Sequence, residues 1–88
     1  EDWRGWPGYP EFRRQEAHIR DEVREDVRQD MIAPDDARDL MGQLRDIRRW
    51  EYREFQNHGW QLPYDDGARI HDRLTQLDHE VDQIRDEP

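Results

Sequence analysis

The feature that most constrains this chain is the spacing of its apolar residues, which recur every three or four positions in three separate segments. Only 32% of the 88 residues are apolar and 42% are charged, a composition that is typical of disordered chains. The spacing indicates order instead, because residues three and four apart share one face of a helix. We therefore predict an all-α protein with a thin but specified core.

Each segment carries one apolar stripe, and breaks in the pattern separate the segments. Pro34 interrupts the pattern after the first segment, and Gly59 follows the second as a left-handed stop signal. We predict helices at about 11–31, 35–57 and 64–86. Their stripes are Phe12, Ile19, Val23, Val27 and Met31 in the first, Ala37, Leu40, Leu44 and Ile47 in the second, and Ile70, Leu74, Leu77, Val81 and Ile84 in the third.

Short connections between helices of about 20 residues imply antiparallel neighbours, so residues 11–88 are predicted to form an up-down-up three-helix bundle. Residues 1–10 contain two Gly, two Pro and three aromatic residues, which predicts an irregular aromatic N-terminal arm. Trp3 and Trp6 of this arm are predicted to cover the open end of the bundle. Because three narrow stripes make a small core, dimerisation through leftover apolar surface is also expected.

The composition excludes several classes of function. The net charge of -9 argues against binding of nucleic-acid phosphates, and no apolar run is long enough for a membrane span. There is no Cys, so disulfides, thiolate nucleophiles and Cys-ligated zinc are excluded. The chain also has no Ser, no Lys and no Gly-rich phosphate loop, and we predict that it is not an enzyme.

The two helix–turn–helix units share one turn design at an offset of 30 residues. The turn resembles the second half of an EF-hand loop, with Ile32 and Leu62 at the apolar position 8 and with Asp36 and Asp66 at position 12. The first half of each loop lacks the oxygen ligands that calcium requires. The sequence therefore predicts an EF-hand-like hairpin pair without functional calcium sites.

A wider resemblance covers residues 11–84. An Arg-rich first helix followed by the units IAPDDARDLMGQLRDI and LPYDDGARIHDRLTQL is similar to a group of small exported helical proteins of alphaproteobacteria. The resemblance implies a periplasmic location, with the signal peptide absent from this chain, and it implies no catalytic residues. It supplies no ligand.

Histidine and carboxylate side chains are the candidate metal ligands. An up-down-up bundle is expected to bring His18, His58 and His71 towards one end, with Asp36 and Asp66 in the two turns as further ligands. Each His taken alone is more often a surface residue. The leading hypothesis is a non-catalytic periplasmic binding or stress-associated module that binds a divalent or trivalent metal ion through Asp, Glu and His.

A locally basic segment supports a different function. Arg45, Arg49 and Arg53 surround Trp50, and Arg side chains stacked on an aromatic ring are common at protein interfaces. Together with Trp3 and Trp6 they form a candidate interface for an acidic protein partner or for a second copy of the chain. The alternative hypothesis is therefore a protein-interaction domain, such as a small acidic chaperone or inhibitor, with no metal.

Overall fold

The protein is a bundle of three α-helices. The computed structural model describes residues 9–59 and 61–86, with helices α1 (Tyr9–Arg28), α2 (Pro34–Asn57) and α3 (Tyr64–Asp86). These residues contain no strand, which confirms the all-α prediction. None of the three helices is apolar enough to cross a membrane. Trp3 and Trp6 of the predicted arm lie outside the described residues.

Helix α1 begins and ends earlier than predicted. It starts at Tyr9 rather than near residue 11, because Pro10 is tolerated in a first turn that needs no amide donor. It ends at Arg28 because Asp30 adopts the left-handed conformation, with φ 61°. The amide of Met31 then donates to the carbonyl of Asp26 over 2.8 Å, which is the closing bond of a Schellman motif.

The apolar residue that is buried after this turn is Ile32, whereas the predicted stripe contained Met31. Met31 is 43% exposed, whereas Ile32 is only 3% exposed. Helix α2 follows at once, with Pro34 in its first turn and Asp35 and Asp36 at its positive end. Since α1 runs to Arg28, part of the segment that aligns with an EF-hand loop is helical.

Contacts between the helices fix their directions. The rings of Phe12 and Phe55 meet edge to face, with centroids 6.3 Å apart, and join the start of α1 to the end of α2. The side-chain amide of Gln43, early in α2, donates to the carboxylate of Glu80, late in α3, over 3.4 Å. Both neighbouring pairs are therefore antiparallel, and the predicted up-down-up order is confirmed.

The core is a single apolar cluster to which all three helices contribute. It contains most of the predicted stripe residues, while Val27, Ala37 and Ile84 pack against its edge. Three acidic side chains, Glu16, Asp26 and Glu51, are also buried. The buried apolar members are Phe12, Ile19, Val23, Ile32, Leu40, Leu44, Ile47, Phe55, Ile70, Leu74, Leu77 and Val81.

Two glycines of α2 and its C-terminal turn provide a test of this helix assignment. Gly59 has φ 62°, as expected for a left-handed helix stop, so Gly59→Ala is expected to lower the free energy of unfolding by about 1 kcal/mol. Gly42 lies inside α2, where an added methyl group would meet only Nη2 of Arg45 at 3.9 Å. Gly42→Ala is therefore expected to raise stability by about 0.5–1 kcal/mol. Urea denaturation of both variants measures the two effects, and changes of the same sign would contradict the assignment.

Candidate functional site

Three acidic side chains are buried among the apolar residues of the bundle. Glu16 is 2% exposed, Asp26 is 6% exposed and Glu51 is fully buried. An ionised carboxylate loses several kcal/mol of solvation in such a place unless a partner or a proton compensates it. Buried ionisable groups therefore lie inside the bundle, where burial can change their protonation.

The buried Glu16–Glu51 pair joins α1 to α2. Nε of Arg13 and Nε of Arg48 lie 3.6 and 3.8 Å from Oε1 of Glu16, which is longer than a hydrogen bond. Burial first, and the adjacent Glu16 carboxyl second, raise the pKa of Glu51 to about 9. Burial also raises the pKa of Glu16, while Glu51 and the two guanidinium groups act against this rise. At neutral pH, Glu51 thus holds a proton.

A second group of side chains lies between α1 and α3, and we call it the α1–α3 cluster. It consists of His18, Glu22 and Asp78, whose potential ligand atoms all lie within 4.8 Å of one another. Burial first, and the neighbouring Asp78 carboxyl next, raise the pKa of Glu22 to about 7. The nearest guanidinium is that of Arg85, whose Nη1 lies 3.8 Å from Oε2 of Glu22.

A third group, the turn cluster, lies where α2 leads into α3. It consists of Glu54, His58 and Asp66, and their ligand atoms also lie within 4.8 Å of one another. Nε2 of His58 is 3.3 Å from Oδ2 of Asp66 and 3.7 Å from Oε1 of Glu54. Arg69 donates a hydrogen bond to the other carboxylate oxygen of Asp66.

The two clusters share one design. In each, a His and a Glu lie four residues apart and an Asp of α3 faces them. His18 and Glu22 share one face of α1, whereas Glu54 lies in the last turn of α2 and His58 is the residue that caps this helix. A Glu four residues from a His is visible in the sequence, but Glu54 and Asp78 were not among the predicted ligands. The Asp partner depends on the register of α3 against its neighbours.

The structure distributes the predicted metal ligands over several places. His58 and Asp66 come together in the turn cluster, while His18 belongs to the α1–α3 cluster. His71 is half-buried on α3, and Asp36 is exposed in the first turn of α2. Neither of these two belongs to a cluster of possible ligands among residues 9–59 and 61–86.

The predicted interface residues divide between core and surface. Trp50 is half-buried and packs against the apolar core. Arg45, Arg49 and Arg53 are exposed, and Nε of Arg45 lies 3.9 Å from the carboxylate of Asp46. In the same segment, Arg48 reaches across to α1, where its Nε lies 3.8 Å from the carboxylate of Glu16 in the buried pair.

Comparison with known proteins gives no family assignment. The chain matches no family model, no curated protein sequence and no solved structure.

The buried pair predicts an unusual dependence of stability on pH. With the pKa of Glu51 raised from 4.5 to about 9, the folded chain binds more protons than the unfolded chain between these values. The contribution of Glu51 to stability is therefore fully present below about pH 4.5 and is lost as the pH rises towards 9. The raised pKa of Glu22 acts in the same direction up to about pH 7. At about 1.4 kcal/mol per pH unit, the Glu51 shift alone corresponds to a loss of about 4 kcal/mol from pH 5 to pH 8.

Glu51→Gln removes the main titrating group while it keeps the shape of the side chain. The variant is expected to lose less stability over this pH range and to be more stable than the parent protein at pH 8. Urea denaturation at pH 5, 6.5 and 8 measures the difference, with Glu25→Gln on the exposed face of α1 as the control. A Glu51→Gln variant with the pH dependence of the parent protein would contradict the assignment.

Proposed function

We propose that this protein is a non-catalytic binding module whose ligand is a divalent transition-metal ion held by Glu54, His58 and Asp66. The observation that carries the proposal is the position of the His58 imidazole. Its Nε2 lies 3.3 and 3.7 Å from carboxylate oxygens that belong to the end of α2 and the start of α3. The three potential ligands thus converge from two helices joined by a short connection.

These distances fit the coordination of a small ion. Zinc binds His nitrogen and carboxylate oxygen at about 2.0–2.2 Å, so that neighbouring ligand atoms of a tetrahedral site are about 3.4 Å apart. The separations of 3.3 and 3.7 Å in the turn cluster are close to this value. Three protein ligands leave one position for water.

The kind of donor atoms favours particular metals. One imidazole nitrogen and two carboxylates suit zinc and neighbouring first-row ions. Calcium takes six to eight oxygen ligands, and the turn cluster offers two carboxylates. We therefore expect selectivity for ions such as Zn²⁺, Co²⁺ or Ni²⁺ over Ca²⁺.

The turn cluster has a competing interpretation without a metal. A protonated His58 would form an ion pair with the two carboxylates and would tie α2 to α3 in the same place. The two interpretations differ in their response to pH, because an ion pair requires a charged imidazole whereas a metal ion requires a neutral one. Arg69 already satisfies one oxygen of Asp66, which leaves Oδ2 for either partner.

The other predictions from the sequence accompany this proposal. A periplasmic location, a homodimer and an interaction with an acidic partner stay predictions. The exposed Arg45, Arg49 and Arg53 support a protein-interaction role, but Trp50 is already engaged with the core. The metal-binding proposal therefore has the more specific geometry behind it.

Metal titration tests the proposal. Protein stripped with EDTA is expected to gain stability from Zn²⁺, by about 2.7 kcal/mol when the free ion is at 100 times its dissociation constant. His58→Ala is expected to reduce the bound stoichiometry by one ion. His79→Ala changes an exposed histidine of α3 that belongs to neither cluster, and is expected to bind as the parent protein does.

Isothermal titration calorimetry and thermal melting measure these effects at pH 7.5, with Ca²⁺ as the comparison ion. A melting temperature that responds to no metal ion would reject the proposed site, and a pH dependence of melting that is weaker in His58→Ala than in the parent protein would identify the turn cluster as an ion pair. Unchanged Zn²⁺ stoichiometry in His58→Ala would also reject the proposed site.

A further inference from the structure

We propose that the α1–α3 cluster is a second metal site, in which His18, Glu22 and Asp78 hold a divalent first-row transition-metal ion that fastens α1 to α3. This site has no residue in common with the turn cluster. On α3, Asp66 and Asp78 are about 18 Å apart along the helix axis, at about 1.5 Å per residue. The second site therefore does not depend on metal binding at the turn.

Two of the potential ligands lie on α1, and the third lies opposite them on α3. His18 and Glu22 follow each other by one turn on the same face of α1, and Asp78 reaches them from α3. Their ligand atoms lie within 4.8 Å of one another, compared with about 3.4 Å around a bound zinc ion. His18 is exposed, so its imidazole can close most of this gap by rotation of the side chain.

One oxygen of each carboxylate in this cluster has no hydrogen-bond donor among the described residues. Oε1 of Glu22 and Oδ1 of Asp78 are shielded from solvent, and neither accepts a hydrogen bond from the described part of the chain. A buried polar atom left unsatisfied in this way costs about 1–3 kcal/mol. A bound cation would compensate both oxygens at once. This is the observation that distinguishes the cluster from an ordinary group of surface carboxylates.

The charge of the surrounding interface also favours a cation. In the described part of the chain, Arg85 is the arginine that contacts Glu22, and it also contacts other acidic side chains. Its Nη1 lies 3.8 Å from Glu22 and its Nη2 lies 3.4 Å from Asp82, while its Nε contacts Asp86. The carboxyl groups along this interface are Glu22, Asp26, Asp78, Asp82 and Asp86.

A metal ion here would have a mechanical consequence. Helices α1 and α3 are parallel, and no connecting segment joins them directly, since α2 lies between them in the chain. An ion shared by His18, Glu22 and Asp78 would act as a cross-link between the first and last helices. It would also replace the repulsion between Glu22 and Asp78 by attraction to a common cation.

The test combines stoichiometry with the location of the bound ion. Calorimetry with Zn²⁺ is expected to give two ions for the parent protein and one for either His18→Ala or His58→Ala. Substoichiometric Mn²⁺ is expected to broaden amide NMR signals near residues 18–22 and 78 in His58→Ala. In His18→Ala this broadening is expected only near residues 54–58 and 66. His79→Ala serves as the matched control and is expected to keep both ions.

Asp78→Asn provides a second variant that does not depend on loss of the imidazole. Without metal, it is expected to melt at a higher temperature than the parent protein, because the repulsion with Glu22 is removed. Its Zn²⁺ affinity at this site is expected to fall at least tenfold. A metal-free protein that is destabilised by Asp78→Asn would overturn the electrostatic argument.

The outcomes separate this inference from the proposed function. One bound ion that is lost in His18→Ala but retained in His58→Ala would support the α1–α3 site and reject the turn site. One ion that is lost only in His58→Ala would do the reverse. Binding that neither substitution changes, or no binding at all, would overturn both.

Discussion

The docking of α1 on α2 buries two carboxyl groups, Glu16 and Glu51, that cannot both be ionised without a large free-energy cost. Glu16 and Glu51 meet one helical turn from the Phe12–Phe55 contact, so acid and aromatic pairs lie side by side in the same interface. Apolar burial supplies the driving force for the bundle, but it does not by itself favour one register of α1 over another. A shifted register would place the Glu16 carboxyl against an apolar side chain, at a cost of several kcal/mol. We infer that the pair selects the native register.

Each of the three helix interfaces contains neighbouring carboxyl groups, and different side chains surround them in each. Between α1 and α2, a proton and two guanidinium groups offset the buried acids. Between α2 and α3, His58 lies between two carboxylates and Arg69 engages one of them. Between α1 and α3, burial and the neighbouring Asp78 carboxyl raise the pKa of Glu22 to about 7, and Nη1 of Arg85 lies 3.8 Å from Oε2 of Glu22.

Much of the fold was predictable from the sequence, because burial follows the period of the apolar residues. Leu40, Leu44 and Ile47 lie in the core as their spacing indicates. The buried acids were not predicted, although the stripes left room for them. Glu16 falls in the seven-residue gap between Phe12 and Ile19, and Glu51 falls midway between Ile47 and Phe55. The apolar spacing does not report on such a position, since the burial and protonation of an acid there depend on a partner across the interface.

The clusters were predictable only in part for a similar reason. The i, i+4 spacing of His58 with Glu54 can be found in the sequence, but the choice of Asp66 or Asp78 as third ligand requires the register between helices. The proton on Glu51 has one more consequence. The folded chain holds this proton near neutral pH and the unfolded chain releases it, so unfolding is also an acid dissociation. The heat of unfolding therefore includes the ionisation enthalpy of the buffer that takes up the proton.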